Sequence, residues 1–379
     1  MRSDAGLIVA RIMRRNATRR AAVHSTGGEP MSYLRGRRAL FLDAPDTIPH
    51  TEYVDHWDAI RHFTGLDPAD PAQRDEANRR FYLATDYDFV WHTDDGPVPW
   101  EERGRITDMG HAEYVEDASD WRTPKPSPFA CAEDVLAFDA VVEYGLPDFD
   151  ELVAYYEAKY QTGQRTHTGL VFPGGYYKTL VSGCIQTFGW DMFLLGVGTD
   201  PVGFDRVLEG FCQLSLHHFR AWAKTSAEAF ICHDDMVWSQ GAIFQPAWYR
   251  ERIFPRYARL WSVLKDAGKK VLFCSDGNYT EFVDDIARAG ADGFIFEPMT
   301  SLERIVETYG QTHVIIGNAD CRILAHGSRA EIRAEVERCA RLGRDCPGYF
   351  FAVGNHIPAN VPLDNVLYYL DLCRELGRR

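Results

Sequence analysis

No Cys-x-x-Cys pair occurs among the nine cysteines of this chain, at positions 131, 184, 212, 232, 274, 321, 339, 346 and 373. An odd number at irregular spacing argues against a disulfide framework and against a zinc ribbon, and it suits a reducing cytoplasm. Excess positive charge is missing too. The 41 basic residues face 55 acidic ones, for a net charge of −14, which argues against nucleic acid or an anionic membrane as partner. No apolar run approaches the ~20 residues of a spanning helix. Internal repeats and low-complexity tracts are absent, and no glycine-rich phosphate fingerprint follows the first expected strand.

What is present is ample material for a core: 45% of the 379 residues are hydrophobic. Length alone would allow two or three domains, but α/β barrels often run long as one. The first thirty residues stand apart, with six arginines against Asp4 and Glu29. Their apolar stretch is short and broken by Arg11, a poor fit to a secretory signal. We expect a disordered leader, with Met31 as the usual start, followed by a single domain over 31–379.

From about residue 50, helical and strand patterns alternate. Helices are expected over 52–64 and 71–83, then a short strand at 87–91. A long loop over 93–130, rich in Gly, Pro, Asp and Arg, comes next. Helices are expected near 131–140 and 148–162, a strand at 168–172, two helices within 175–198, and a clear amphipathic helix through Trp222. The later rhythm is regular. Strands at 229–232, 270–273, 293–296, 313–316 and 349–352 alternate with helices at 246–267, 279–289, 300–309, 329–342 and 363–376. Short apolar strands between helices imply a buried parallel sheet built of right-handed βαβ units. An open doubly wound sheet fits the same pattern. A (β/α)8 TIM barrel with a long early loop insertion is preferred, because polar residues follow every late strand, where barrel enzymes keep their chemistry.

Those strand ends yield the candidate site. His233, Asp234 and Asp235 follow one strand. Cys274, Ser275, Asp276 and Asn278 follow the next. Glu297, then Asn318 and Asp320, then Asn355 and His356, follow the others. The early strand adds Asp86, Asp88, His92, Asp94 and Asp95. A lone carboxylate at a strand end often only caps a helix. Acids, a thiol and imidazoles on one rim suit acid/base work, or a metal such as zinc, although no compact metal motif is present. The pair His217-His218 lies in a strong helical pattern and reads as surface or packing.

The stretch from Ala229 onward resembles the uroporphyrinogen decarboxylase superfamily. This group includes the tetrapyrrole decarboxylase, the corrinoid-linked methyltransferases and, more distantly, the cobalamin-independent methionine synthases. The match is carried by Asp234-Asp235 with Gly241 and Pro246, Phe273-Cys-Ser-Asp-Gly-Asn278, Gly317-Asn318-Ala-Asp320, and Gly354-Asn-His-Ile-Pro358. Pro45-Asp46-Thr-Ile-Pro49 and Asp86-Tyr-Asp88 extend it loosely into the first half.

The resemblance implies Asp88, Asp86 and Asp235 as catalytic groups, with Asp88 or Asp86 near the family's essential aspartate. It implies His233, Asn278, Glu297, Asn318 and Asn355 around the substrate. The decarboxylase's arginine-bearing motif is replaced here by Ile48-Pro-His-Thr-Glu-Tyr53, a poor cradle for a highly anionic porphyrinogen. The zinc methyltransferases' His-x-Cys pair would fall on Cys274 and Asp276, and their second cysteine on Asn355, beside His356. The leading expectation is therefore a methyltransferase or demethylase acting on a small-molecule substrate. Cys274, Asp276 and His356 would bind zinc, and a corrinoid would serve as substrate or as cargo of a partner protein. A carboxy-lyase on a less anionic substrate is the second expectation, and a non-catalytic tetrapyrrole or corrinoid binder the third. A homodimer is expected by analogy.

Overall fold

The computed structural model describes residues 31–109 and 125–379. The expected leader and the middle of the long early loop lie outside them.

Apolar runs form the expected parallel sheet. Strand β1 is Tyr53–Asp55, β2 Gly174–Tyr176, β3 Ala229–His233, β4 Val237–Trp238, β5 Gly241–Ala242, β6 Lys270–Ser275, β7 Gly293–Phe296, β8 Val314–Ile316, β9 Tyr349–Phe350 and β10 His356–Pro358. Six of them lie side by side in the order β2-β3-β6-β7-β8-β9, and every neighbouring pair is parallel.

Two shorter segments close this sheet on itself. Phe89 bridges Val171 in parallel, just before β2, and His50 bridges Phe351, just after β9. The Val90 N–H donates to the Val171 carbonyl at 2.9 Å, the Asp88 N–H to the His50 carbonyl at 2.9 Å, and the Phe351 N–H to the Pro49 carbonyl at 2.9 Å. Eight parallel staves therefore run around the circle, the (β/α)8 barrel expected from the strand–helix rhythm. At the closing seam sits Glu52, fully buried. It accepts from the Tyr369 hydroxyl at 2.5 Å and the Val353 N–H at 3.0 Å, and lies 2.9 Å from His50 Nε2. The acid that marks this chain in Ile48-Pro-His-Thr-Glu-Tyr53 thus ties the first stave to the last.

Alternate residues point into the barrel. Phe89, Val171, Ala229, Ile231, Leu272, Cys274, Ile295, Val314, Ile316, Phe350 and Ala352 form one buried cluster, which Ala39 and Leu40 join. The last two belong to an N-terminal helix, Met31–Leu40, which stoppers the N-terminal end of the barrel. A second, larger cluster lies between the staves and the surrounding helices.

Helix boundaries follow capping chemistry. Asp70, Asp148 and Ser328 each accept backbone N–H groups in the first turns of Pro71–Thr85, Phe149–Thr166 and Arg329–Gly343, as side-chain oxygens do at N-caps. The early chain departs from expectation. Residues 53–55 are strand, and the helix begins only at Trp57. The two helices expected within 175–198 lie over Val181–Thr199, separated at Gly189, where φ is 71° and the backbone is not helical.

Gly354 requires its glycine. Its φ is 82°, and a β-carbon there would land on the Phe296 carbonyl oxygen. We expect Gly354→Ala to cost ~2 kcal/mol or more, through left-handed strain plus overpacking, read as a lowered urea midpoint.

Candidate metal centre at the barrel mouth

The β3 and β6 staves run in register, with His233 beside Cys274. Their C-terminal ends deliver His233, Asp235 and Asp276 to one place. One ligand-type atom from each of these three lies within 4.8 Å of the others. His233 Nε2 is 3.1 Å from Asp235 Oδ1. The same oxygen accepts the Asp276 N–H at 2.9 Å. Asp235 Oδ2 accepts the Tyr177 hydroxyl at 2.6 Å, and the Tyr177 ring stacks on His233 at 4.0 Å.

A second tier adjoins the first. The Asn355 amide nitrogen donates to Asp276 Oδ2 at 3.2 Å and to Glu297 Oε1 at 2.9 Å. Glu297 Oε2 accepts the Gly277 N–H at 2.6 Å. Gly277 has φ 83°, and a β-carbon there would sit 2.7 Å from the Trp238 carbonyl, so the Asp276 loop presses against the β4–β5 hairpin. Trp238 itself is 49% exposed, its ring 5.6 Å from that of Trp190.

The electrostatics follow from burying like charges together. Burial, then the charges of Asp235 and Glu297, push the Asp276 carboxyl well above the usual carboxylate range. Burial also works against an ionised Asp235, but His233, the Asp276 N–H and the Tyr177 hydroxyl pull its pKa far down. Burial disfavours a charged His233, yet Cys274 and Asp235 raise it well above the imidazole range. Among the described residues no Arg or Lys forms an ion pair with Asp235, Asp276 or Glu297. A cation would relieve that crowding, and one imidazole with two carboxylates is a competent donor set.

The structure sorts the expected residues. It gathers His233, Asp235, Asp276, Glu297 and Asn355. His356 stands at the edge, its Nδ1 2.7 Å from Asn355 Oδ1. Cys274 touches His233 but is 1% exposed, within the barrel's apolar interior. Asn278 accepts from the Thr280 N–H in a local turn. Asn318 is buried elsewhere, donating to the Thr300 carbonyl and accepting from Arg338.

Asp86 and Asp88 lie at the opposite end. They precede the second stave, so chain direction puts them at its N-terminal end. Asp88 Oδ1 is 2.6 Å from Arg35 of the stopper helix, and Asp86 Oδ2 is 3.4 Å from it. A cavity of about 540 Å³ opens there, lined by Arg35, Asp86, Asp88, Asp371 and Arg374. Its acids are largely matched by arginines, unlike those of the mouth. Asp234 is structural as well. Fully buried, it accepts the N–H groups of Leu180, Val181 and Ser182 and the Tyr257 hydroxyl. Tyr177 stands out in the sequence only as one of several aromatics near loops that could line a pocket; its place just beyond β2 brings it to the mouth.

A sequence model of the family described as Uroporphyrinogen decarboxylase (URO-D) matches residues 189–376, the part of the chain that supplies β3 to β10. The uroporphyrinogen decarboxylase of Syntrophotalea carbinolica is 29% identical over 176 residues, 46% of this chain and 50% of that protein. That of Thermus thermophilus is 29% identical over 172 residues, 45% of this chain and 48% of that protein. The chain thus spans about half the length of the curated relatives it matches. A methyltransferase from Methanosarcina mazei superposes with a TM-score of 0.63 at 17% identity, covering 92% of this chain and 99% of that one, a likeness of fold. Among the described residues no helix is long and apolar enough to cross a membrane. Strand-end motifs and the family match agree: the region 189–376 of the chain belongs to the uroporphyrinogen decarboxylase superfamily.

Proposed function

We propose that the protein is a methyltransferase or demethylase whose barrel mouth works with a divalent cation held by His233, Asp235 and Asp276. The observation that carries this reading is the convergence of those three side chains from two adjacent staves. The fold shared with a methyltransferase supports it.

A bound cation would polarise the heteroatom that bears the methyl group and so ease its displacement. The chain's own residues do the rest. Tyr177 fixes both the Asp235 carboxylate and the plane of the His233 ring, as outer-shell partners of metal ligands do. Asn355 holds Asp276 and Glu297 side by side. Glu297, outside the three-residue group, is held at the mouth by Asn355 and the Gly277 N–H. Cys274 supports His233 from below, and His356 orients Asn355. The half-exposed Trp238 with Trp190 offers an aromatic rim on which a partner carrying a corrinoid would dock.

The carboxy-lyase reading needed Asp88 or Asp86 beside the substrate, and both are at the far end of the barrel.

The test is metal content and methyl transfer in the purified full chain. Near-stoichiometric divalent metal is expected, with metal affinity at least ~10-fold weaker in Asp276→Asn. Methyl transfer to reduced cobalamin, followed by its absorption change, should fall in parallel. Equal and negligible metal in both proteins would remove the proposal.

A further inference from the structure

The kind of cation is written in the donor atoms. This inference rests on the cation reading above. The converging group contains one imidazole nitrogen and carboxylate oxygens from Asp235 and Asp276, and no sulfur. The nearest thiol, Cys274, is 1% exposed and packs with Ile231, Leu272 and Ile295 inside the barrel. Its side chain meets that of His233, but it is not among the three residues whose ligand atoms converge. The surrounding tier is also sulfur-free: Glu297 contributes oxygen, and the Asn355 amide nitrogen is committed to Asp276 and Glu297.

We propose that this site binds its divalent cation through imidazole nitrogen and carboxylate oxygen alone, from His233, Asp235 and Asp276, without a thiolate. Thiolate ligands select soft ions and closed tetrahedral sites, whereas imidazole with carboxylates builds catalytic sites that keep a position open. Three carboxyl groups at one mouth also supply negative charge for a divalent cation. Two or three coordination positions stay open for water and for an oxygen or nitrogen atom of the substrate.

The experiment uses the full chain, stripped with a chelator and titrated separately with Co²⁺ and Mn²⁺. With Co²⁺, weak visible absorption is expected, without the intense near-ultraviolet band of sulfur-to-cobalt charge transfer. With Mn²⁺, loss of the free-ion paramagnetic resonance signal should report one ion per chain. Asp276→Asn should weaken Co²⁺ and Mn²⁺ affinity by more than ~10-fold, whereas Cys274→Ser and Cys274→Ala should leave the near-ultraviolet region of the cobalt spectrum unchanged. A near-ultraviolet band that disappears in Cys274→Ser would overturn the inference and leave the metal-assisted reading standing. Binding that Asp276→Asn does not weaken would place the ion elsewhere and overturn the inference. Failure of the wild-type chain to bind either ion would overturn both. The wild-type cobalt spectrum decides the matter even if a cysteine variant fails to fold.

Discussion

Arg35→Ala is expected to destabilise the protein by ~3–5 kcal/mol near pH 8, the usual cost of stranding one member of a buried ion pair. Asp88 is 1% exposed, and its Oδ1 has Arg35 at 2.6 Å. Arg35 also reaches Asp86, so the substitution unfastens the stopper helix from the barrel floor. The pH dependence gives the loss a signature. Burial raises the Asp88 carboxyl to about 7 against the pull of Arg35. A carboxyl with a raised folded pKa adds stability that is complete below its unfolded value and is lost as pH climbs through about 7. Without Arg35 that pKa rises further. The deficit of Arg35→Ala should therefore shrink between pH 8 and pH 5. Urea denaturation at both values measures it, and a deficit that is equal or larger at pH 5 would contradict the ion-pair account.

The second large effect is expected at Asp234→Ala, again ~3–5 kcal/mol. Three buried N–H groups at the start of Val181–Thr199 and the Tyr257 hydroxyl lose their acceptor, and each stranded donor costs ~1–3 kcal/mol before water or relaxation offsets part of it. Asp234→Asn keeps one acceptor oxygen and should lose about half as much. The effect should reach the mouth as well. The Ser182 hydroxyl accepts the Asp235 N–H at 2.8 Å, so a frayed helix start loosens the metal ligand beside it. Thermal unfolding paired with Co²⁺ titration separates the two consequences. A variant that melts like wild type would show that Asp234 is not the clamp described.

The later staves were legible because each is a short run of Val, Ile, Leu and Phe between helices with clear periodicity. Residues 293–296 were read without error, and 229–232 and 270–273 to within two residues. The helix expected at 363–376 is present over Leu363–Leu376. The first stave was hidden because Pro49, His50, Thr51 and Glu52 are polar or helix-breaking. Their burial depends on partners more than three hundred positions away, such as Tyr369. The stopper helix Met31–Leu40 was equally invisible, since four of its ten residues are Arg or Gly.

At the site, strand ends named His233, Asp235, Asp276, Glu297 and Asn355, because a closed barrel brings the C-terminal ends of all its strands to one rim. The same strand-end reading also took in Asp86 and Asp88 of the early strand, and family likeness gave them a catalytic role. The chain itself pointed the other way, since both precede Phe89. His218, expected as surface or packing, is fully buried. Its Nδ1 lies 2.6 Å from the Tyr156 hydroxyl, and burial lowers its pKa to about 3.

The seam between the first and last staves carries a consequence for biosynthesis. Glu52 and Val353 meet although 301 positions separate them. While the ribosome is still translating, the segment around His50 has no eighth neighbour, and its backbone edge stays open for most of elongation. Such unpaired edges invite association between nascent chains. Overproduction at high translation rates should therefore favour inclusion bodies, and slower synthesis or added chaperone should recover soluble protein.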